Sequence, residues 1–570
     1  MNLKFLLALL IILSIIFPGC KHEDEPFKPD EPEIENPDTP TPEEPLPERD
    51  GFRVYAYNNT GWPDLYLYMW GEKNDLNGKW PGMSPSGSII INNNEFLYYD
   101  MGEKNTGLKE KLIFNCIDEQ LNEVSYTISK DIYYEVTPNY VAVVDPENFK
   151  PSQNGLISNG KAVTDMVIYE ANPRFFAMDN CLNALTDNLE RIKNLGCDVV
   201  WLMPICEPSV SSQSIGSPYA IKNYEVLNPK YGTVTNLQSL VKTAHTKGLK
   251  VVLDWVPNHT GWDNPWVKEH PDWFLHNEKG QILSPPGTGW NDVAQLNYEN
   301  PDVVTAMSDA IKYWVNIADL DGIRFDYADS SYIIPAFWTS IAKDLRTIKP
   351  DFILLAESSN YAFYNYGFDM IYDWDSAPTI SKGFLQSQAS DIVTEAQNAI
   401  SKVPDGCSIL RYIFNHDVMA ENSIDTYYGS IEALPAAYVC ASMLNGTPLI
   451  YSGMDAEGLK GTQSFFNYTK LTFSDTFTPI YSAINSAFKS TTVVRSGELK
   501  NYSNKKVMCF TRTLQEQLLL VIVNTSPTNQ KLDIPYDLNL LEFEDLINGT
   551  KIIINNTIDL NPYEYLIMKK

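Results

Sequence analysis

The stretch DGIRFDYAD, residues 321–329, places an arginine and an aspartate two positions apart inside what otherwise has the pattern of a buried strand. In an extended chain, residues i and i+2 point to the same face. Arg324 and Asp326 therefore project together, while Ile323 and Phe325 point the other way into apolar packing. Charges are rarely buried unless paired, and a buried pair often adds little net stability. A structural ion pair at a strand end would explain this stretch by itself. What decides between that and a working site is how many comparable strand ends the chain supplies.

From Met166 onward the runs MVIYEANPRFF, DVVWLMPI, LKVVLDWVPNH, GIRFDYAD, FILLAES, GFDMIYDWD, ILRYIFNHD and TPLIYSG follow one another with strand-like composition. Between most of them lie segments of helical period, at residues 180–195, 235–247, 301–318 and 335–349. This alternation predicts an α/β fold, a (β/α)8 TIM barrel, over residues 160–496. A connection after the third strand, residues 260–300, is long and has no clean helix over much of its length, which marks it as functional.

The flanks read differently. Residues 51–150 carry FRVYAYN, DLYLYMWG, FLYYDM and KLIFNCID between Gly, Asn and Pro, the pattern of an N-terminal β-sandwich module. Residues 497–570, with KVMCFTRTL, QLLLVIVNTS, KIIINNTIDL and EYLIMKK, predict a C-terminal antiparallel β domain. A chain of 570 residues is too long for one ordinary core, and three folded units suit it.

The bulk chemistry excludes some partners. A formal charge of −29 argues against nucleic acid, whose phosphates need clustered Lys and Arg. A neutral substrate fits better, and 33 Tyr and 12 Trp leave aromatic surface beyond a core on which sugar rings could stack. Residues 1–20, MNLKFLLALLIILSIIFPGC, form a secretory signal peptide. Residues 21–50 are acidic and proline-rich and predict a solvated tether. The other seven cysteines show no CxxC or metal-ligand spacing, so neither a disulfide framework nor a zinc site is indicated.

In barrels of this type the chemistry sits where strands end. The third strand ends in Asp254, Asn258 and His259, the fourth in Arg324 and Asp326, the fifth in Glu357, and the seventh in Asn415, His416 and Asp417. Crowded carboxylates raise each other's pKa and make a poor stability device. They suit glycosidic bond cleavage, in which one carboxylate attacks and one carboxylic acid protonates the leaving oxygen. Arg324 would hold Asp326 ionised, and Glu357, with no basic neighbour in sequence and apolar residues around it, would stay protonated.

These segments, DWVPNH, GIRFD, LLAE and FNHD in this order, resemble the signature regions of glycoside hydrolase family 13, the α-amylase family. The resemblance implies Asp326 as nucleophile, Glu357 as general acid/base and Asp417 as the carboxylate that binds sugar hydroxyls and helps distort the ring. It implies that His259 and His416 bond the sugar before the scissile bond, that Arg324 orients Asp326 and that Asp254 supports the site. SPYAIKNYEVLNPKYGT resembles the family's second-strand loop and makes Tyr219 a stacking platform. LYLYMWGEKNDLNGKWPGM is similar to the starch-binding modules of carbohydrate-binding module family 26, which implies sugar contacts from Tyr68, Trp70 and Trp80. The N-terminal signal is similar to that of a bacterial lipoprotein, with Cys20 lipidated; the acidic stretch behind it resembles a signal for export to the surface of the outer membrane.

The implied protein is a secreted, lipid-anchored, retaining and endo-acting α-1,4-glucan hydrolase acting on starch and malto-oligosaccharides, a monomer that meets the membrane through its lipid only. No cofactor is required: Asn258 matches a family calcium ligand, one oxygen where a calcium site takes about 6–8. DYADSSY stands where calcium-dependent members carry Lys-His, so Asp329 and Ser330 occupy those places. That run leans toward cyclomaltodextrinases and neopullulanases, the alternative reading. A non-catalytic surface starch-binding protein is a second alternative, and a transglycosylase would use the same residues.

Overall fold

The protein is described by a computed structural model. It describes residues 51–60, 62, 64–71, 78–92, 94–101, 109–116, 124–127, 131–136, 141–144, 146 and 163–570, apart from 405, 474 and 475. The expected signal, the tether and Cys20 lie outside the described residues.

Eight parallel strands close into a barrel: β1 (Ile168–Ala171), β2 (Val199–Leu202), β3 (Lys250–Trp255), β4 (Gly322–Phe325), β5 (Ile353–Ala356), β6 (Met370–Tyr372), β7 (Ser408–Arg411) and β8 (Thr447–Tyr451), with β8 pairing back onto β1. Helices cover the outer face, so both faces of every strand are buried, and the strands read as near-continuous apolar runs rather than alternating ones.

The helices begin and end where local chemistry says they should. In α1 (Val234–Thr246), Thr233 and Asn236 form a reciprocal capping box. Helix α2 (Pro301–Ala318) starts with Asn300 accepting from the backbone N–H of Asp302 and with Pro301 at its first position. It stops at Asp319, which turns left-handed at φ 54°. Its buried residues, Val303, Met307, Ala310, Ile311, Trp314 and Val315 among them, recur every three or four positions and form the stripe laid on the barrel. Each large apolar side chain so buried stabilises by about 1.5–3 kcal/mol.

The N-terminal module packs a five-stranded sheet, with Arg53–Asn58 at its centre, against a three-stranded sheet of Tyr66–Trp70, Lys109–Asn115 and Val124–Thr127. Its core includes Val54, Ala56, Leu67, Met69, Tyr99, Leu112, Phe114 and Tyr134. The C-terminal domain is a six-stranded sheet from Glu498–Asn501 to Tyr565–Lys569, with a separate two-stranded pair. No helix among the described residues is long and apolar enough to cross a membrane.

Candidate active site

Because the barrel strands are parallel, all their C-terminal ends open on one mouth. Asp254 ends β3 one residue before Trp255, Asp326 and Glu357 directly follow β4 and β5, and His416 and Asp417 open a short helix, His416–Glu421, capped by the Asn415 side chain. A cavity of about 400 Å³ there is lined by Tyr219, His259, Asp326, Glu357, His416 and Asp417, residues singled out in the sequence.

Arg324 organises the carboxylates. It is fully buried, and its Nη1 donates to Asp254 Oδ1 at 2.7 Å and to Asp326 Oδ1 at 3.1 Å. Its Nη2 forms an ion pair with Glu357 Oε1 at 2.8 Å, and Nε donates to the Tyr372 hydroxyl at 3.2 Å. Arg324 thus reaches Glu357 as well as Asp326, although Glu357 has no basic neighbour in sequence. Sequence adjacency hid the contact, since β4 and β5 are hydrogen-bonded neighbours and Arg324 lies opposite Leu355, two residues before Glu357.

Sharing one cation among three acids leaves burial the largest influence on each. Burial raises Asp326 to about 6 against the opposing pull of Arg324, and raises Asp254 to about 6 in the same way. Asp326 is thus held less firmly ionised than a dedicated ion pair would make it. Burial, with Asp326 and Asp417 adding to it and Arg324 opposing, raises Glu357 to about 8. The order of the two groups gives a window in which one is charged and the other carries a proton. The backbone N–H of Tyr327 donates to Glu357 Oε2 at 2.5 Å, and Tyr327 reaches that position with φ at 43°, a region bulky residues rarely adopt.

The two histidines are in opposite states. Burial lowers His259 to about 4, so it is neutral; Asn258 Nδ2 is 3.2 Å from its Nδ1, and its ring meets Trp290 edge-on at 5.5 Å. Burial also pulls His416 down, but Asp417 and Glu170 more than offset this and raise it to about 9. Protonated, His416 donates from Nδ1 to Glu170 Oε1 at 2.5 Å and from Nε2 to the Tyr219 hydroxyl at 2.9 Å. That hydroxyl donates onward to Asp254 Oδ2 at 3.1 Å, which also accepts from Trp201 Nε1 at 3.2 Å. Tyr219 lies against His416, with ring centroids 5.3 Å apart and planes at 23°.

Sequence reading missed several residues here. Glu170 sits within β1, whose run reads as an ordinary buried strand. Trp290 and Asp292 belong to the insertion at 260–300, already marked as functional, and Trp374 follows β6 in YDWD. Phe465 and Phe466, from the loop after β8, carried no signal. Arg174, buried just past β1, pins that loop by donating from Nη1 to the carbonyls of Phe466 at 2.7 Å and of Gly216 at 2.9 Å.

The surroundings of Asn258 do not fit a calcium cage. Its Oδ1 accepts from Gln295 Nε2 at 3.0 Å and its Nδ2 donates to Gln295 Oε1 at 3.2 Å, so the amide is occupied on both sides. Among the described residues no group of three or more His, Cys, Asp or Glu is placed to hold a metal ion.

On the N-terminal module, Leu67 and Met69 enter the core, while Tyr66, Tyr68 and Trp70 face outward. Tyr68 stacks on Trp70 with centroids 5.4 Å apart and meets Trp80, 42% exposed, edge-on at 5.5 Å. The Trp-Pro-Gly turn that carries Trp80 is bonded to the same strand, Leu67 and Met83 exchanging backbone hydrogen bonds. Only glycine allows this approach. Gly82 has φ 96°, and a Cβ there would fall 2.1 Å from the Leu67 carbonyl oxygen.

The family model for the α-amylase catalytic domain matches residues 144–288 and 273–474, more than half of the chain. The chain belongs to the α-amylase family. It is a glycoside hydrolase by that membership, and residues 498–567 match the maltogenic amylase C-terminal domain. An α-amylase from Dictyoglomus thermophilum is 28% identical over 347 residues, 52% of this chain and 65% of that enzyme's length. A maltogenic α-amylase from Bacillus acidopullulyticus is 23% identical over 476 residues, 78% of either chain. Among solved structures, a noncanonic maltogenic α-amylase from Thermotoga neapolitana superposes with a TM-score of 0.64 at 26% identity, over 72% of this chain and 99% of that one. The shared region of this α-amylase-family enzyme includes the barrel mouth just described.

Proposed function

We propose that the enzyme hydrolyses α-1,4-glucosidic bonds of starch and malto-oligosaccharides with retention of configuration. One observation carries the reading: Asp326 and Glu357 flank a single guanidinium, with Glu357 holding its proton to higher pH than Asp326. Two carboxyl groups drawn to one cation favour double displacement, which uses carboxyls about 5 Å apart, over inversion, which leaves roughly 6.5–9.5 Å for a water between them. In this scheme Asp326 attacks the anomeric carbon while Glu357 gives its proton to the departing oxygen. Glu357, now ionised, then takes a proton from the water that releases the sugar from Asp326. Asp417 and protonated His416 face the same cavity and would bind hydroxyls of the sugar being distorted, with Tyr219 and Trp290 offering apolar faces.

Product analysis with amylose, pullulan and β-cyclodextrin, each with and without a chelator, tests this. Mixed short malto-oligosaccharides from amylose, formed with the chelator present, are expected. Silence on all three with starch binding kept would make the protein a binder.

A second reading, a cyclomaltodextrinase or neopullulanase type, has its own support. The maltogenic amylase C-terminal domain is one part. The other is Asp329, which lines the cavity and accepts from the Ser358 hydroxyl where Lys-His stands in calcium-dependent relatives. Faster turnover of β-cyclodextrin than of amylose would select it. We further propose that Tyr68, Trp70 and Trp80 form a starch-binding platform. Lipidation of Cys20 would place the enzyme on the outer membrane, facing outward. Loss of fatty-acid labelling in Cys20→Ser is the expected outcome, and retained labelling would discard the anchor.

A further inference from the structure

Between the loops that follow β5 and β6 and the helix α3 (Ala389–Ile400) lies a second cavity, of about 560 Å³. That is within the roughly 300–1,000 Å³ of small-molecule sites. Trp374, just past β6, lines both this cavity and the catalytic one, so the two share a wall.

The lining combines two kinds of chemistry. On α3, Asp391, Thr394, Glu395 and Asn398 recur every three or four residues and all line the cavity, while Ile392, Val393 and Ala396 on the same helix are buried. A helix packed on a barrel ordinarily gives its polar stripe to open solvent. Here the stripe borders a concavity, and Lys402 just beyond the helix continues it. The barrel loops add two half-buried aromatic residues, Tyr361 and Trp374. Tyr361 is anchored at the end of α3, its hydroxyl donating to the Ala399 carbonyl at 3.3 Å and its ring centroid 5.4 Å from Lys402 Nζ.

Charge narrows the class of ligand. Buried Arg411 pairs with Asp373 at 2.8 Å and with Glu395 at 3.2 Å, so these groups satisfy one another. Of the exposed charges in the lining, Asp375 and Asp391 outnumber Lys402, which disfavours phosphates and carboxylates. Among the described residues no group of acids is placed to hold a metal ion. A neutral ligand with both apolar and hydroxylated surface fits what remains. A pyranose has C–H faces that stack on aromatic rings and a rim of hydroxyls that bonds to carboxylate, amide and ammonium groups.

We propose that this cavity binds glucose units of an α-glucan, using the polar stripe of α3 together with Tyr361 and Trp374. The site rests on the α-glucan reading above, and the glucan reaches it as the far part of the chain in the catalytic cavity or as a second chain.

The test titrates the full-length protein with maltoheptaose by calorimetry, in a background of Glu357→Gln with Trp70→Ala and Trp80→Ala that ends turnover and removes the rings of the N-terminal module. Asn398→Trp, at an exposed position on the cavity wall, is added to fill the cavity. If one chain spans both cavities, maltoheptaose binds once per protein and Asn398→Trp weakens it at least tenfold. If a second chain is bound, the stoichiometry is two and falls to one in the variant. Thr394→Trp, one turn earlier on the stripe, should act in the same way and carries the test alone if Asn398→Trp does not fold. Stoichiometry and affinity unchanged by both substitutions, in a protein whose wild type hydrolyses amylose, would overturn the site alone. A wild type inert toward amylose, with no heat in the titration, would overturn the α-glucan reading and the site with it.

Discussion

The two mouths of the barrel solve the problem of a buried arginine in opposite ways. At the C-terminal mouth, Arg324 reaches Asp254, Asp326 and Glu357, so three acids compete for one cation. At the N-terminal mouth, Arg512 reaches a backbone carbonyl and no acid. One site has an excess of negative charge and the other a deficit. Burial, with the surplus acids adding to it, keeps a proton on Glu357 near neutral pH, which is useful for acid catalysis; the deficit leaves Arg512 a buried charge without a counter-charge.

The comparison breaks most visibly in turnover. Glu357→Gln removes the transferable proton and little volume, and kcat on soluble starch is expected to fall by about 10²–10⁴-fold with starch affinity kept. Near-normal kcat would remove Glu357 from the chemistry and with it the meaning of the shared guanidinium.

Stability sharpens the contrast. Arg324→Met strands three buried carboxyl groups and is expected to cost about 3–5 kcal/mol at pH 7, whereas Arg512→Met removes an unpaired charge and should be neutral or stabilising. Denaturant midpoints check both. The same acids set a pH trend in the wild type. Asp254, Asp326 and Glu357 are raised above their usual values, so their protonated forms favour the folded state; His416, raised to about 9, stabilises when charged. Both contributions are present at low pH and lost as pH rises through about 6 to 9; His259, lowered to about 4, acts in the opposite sense only below its ordinary value of 6.5, so the unfolding midpoint contributed by this mouth should fall between pH 6.5 and 9. A midpoint that rose across this range would contradict the assigned environments.

Smaller effects follow. The profile of kcat/KM against pH should be a bell with limbs near 6 and 8, belonging to the Asp326 and Glu357 pair together. Glu170→Gln should reduce kcat by up to about 10²-fold by freeing the His416 ring, with the KM for starch changing less. The smallest effect lies away from both mouths and serves as their control. Trp70→Ala with Trp80→Ala should lose about 1 kcal/mol per ring in adsorption to granular starch, with hydrolysis of maltoheptaose unchanged.

The barrel was legible because its strands are buried on both faces and its helices on one, so period and composition separate them: residues 301–318 were read as a helix, and a helix spans Pro301–Ala318. The site was legible as far as it lies at strand ends within recognisable segments. What escaped was cross-strand and cross-loop geometry. The pairing of β4 with β5 brings Arg324 to Glu357, β1 brings Glu170 to His416, and the loop after β8 brings Phe465, none of which leaves a local trace in the sequence. Arg512 looked like any arginine in a strand; only the packing of the C-terminal domain reveals its isolation.

The turn at Gly82 has one further consequence. By letting the backbone of the Trp80 loop lie against the strand of Tyr68 and Trp70, it holds Trp70 and Trp80 each against the Tyr68 ring before any ligand arrives. Little rotational freedom is left for a partner to remove, so what lands on these rings keeps nearly all of the interaction energy it gains.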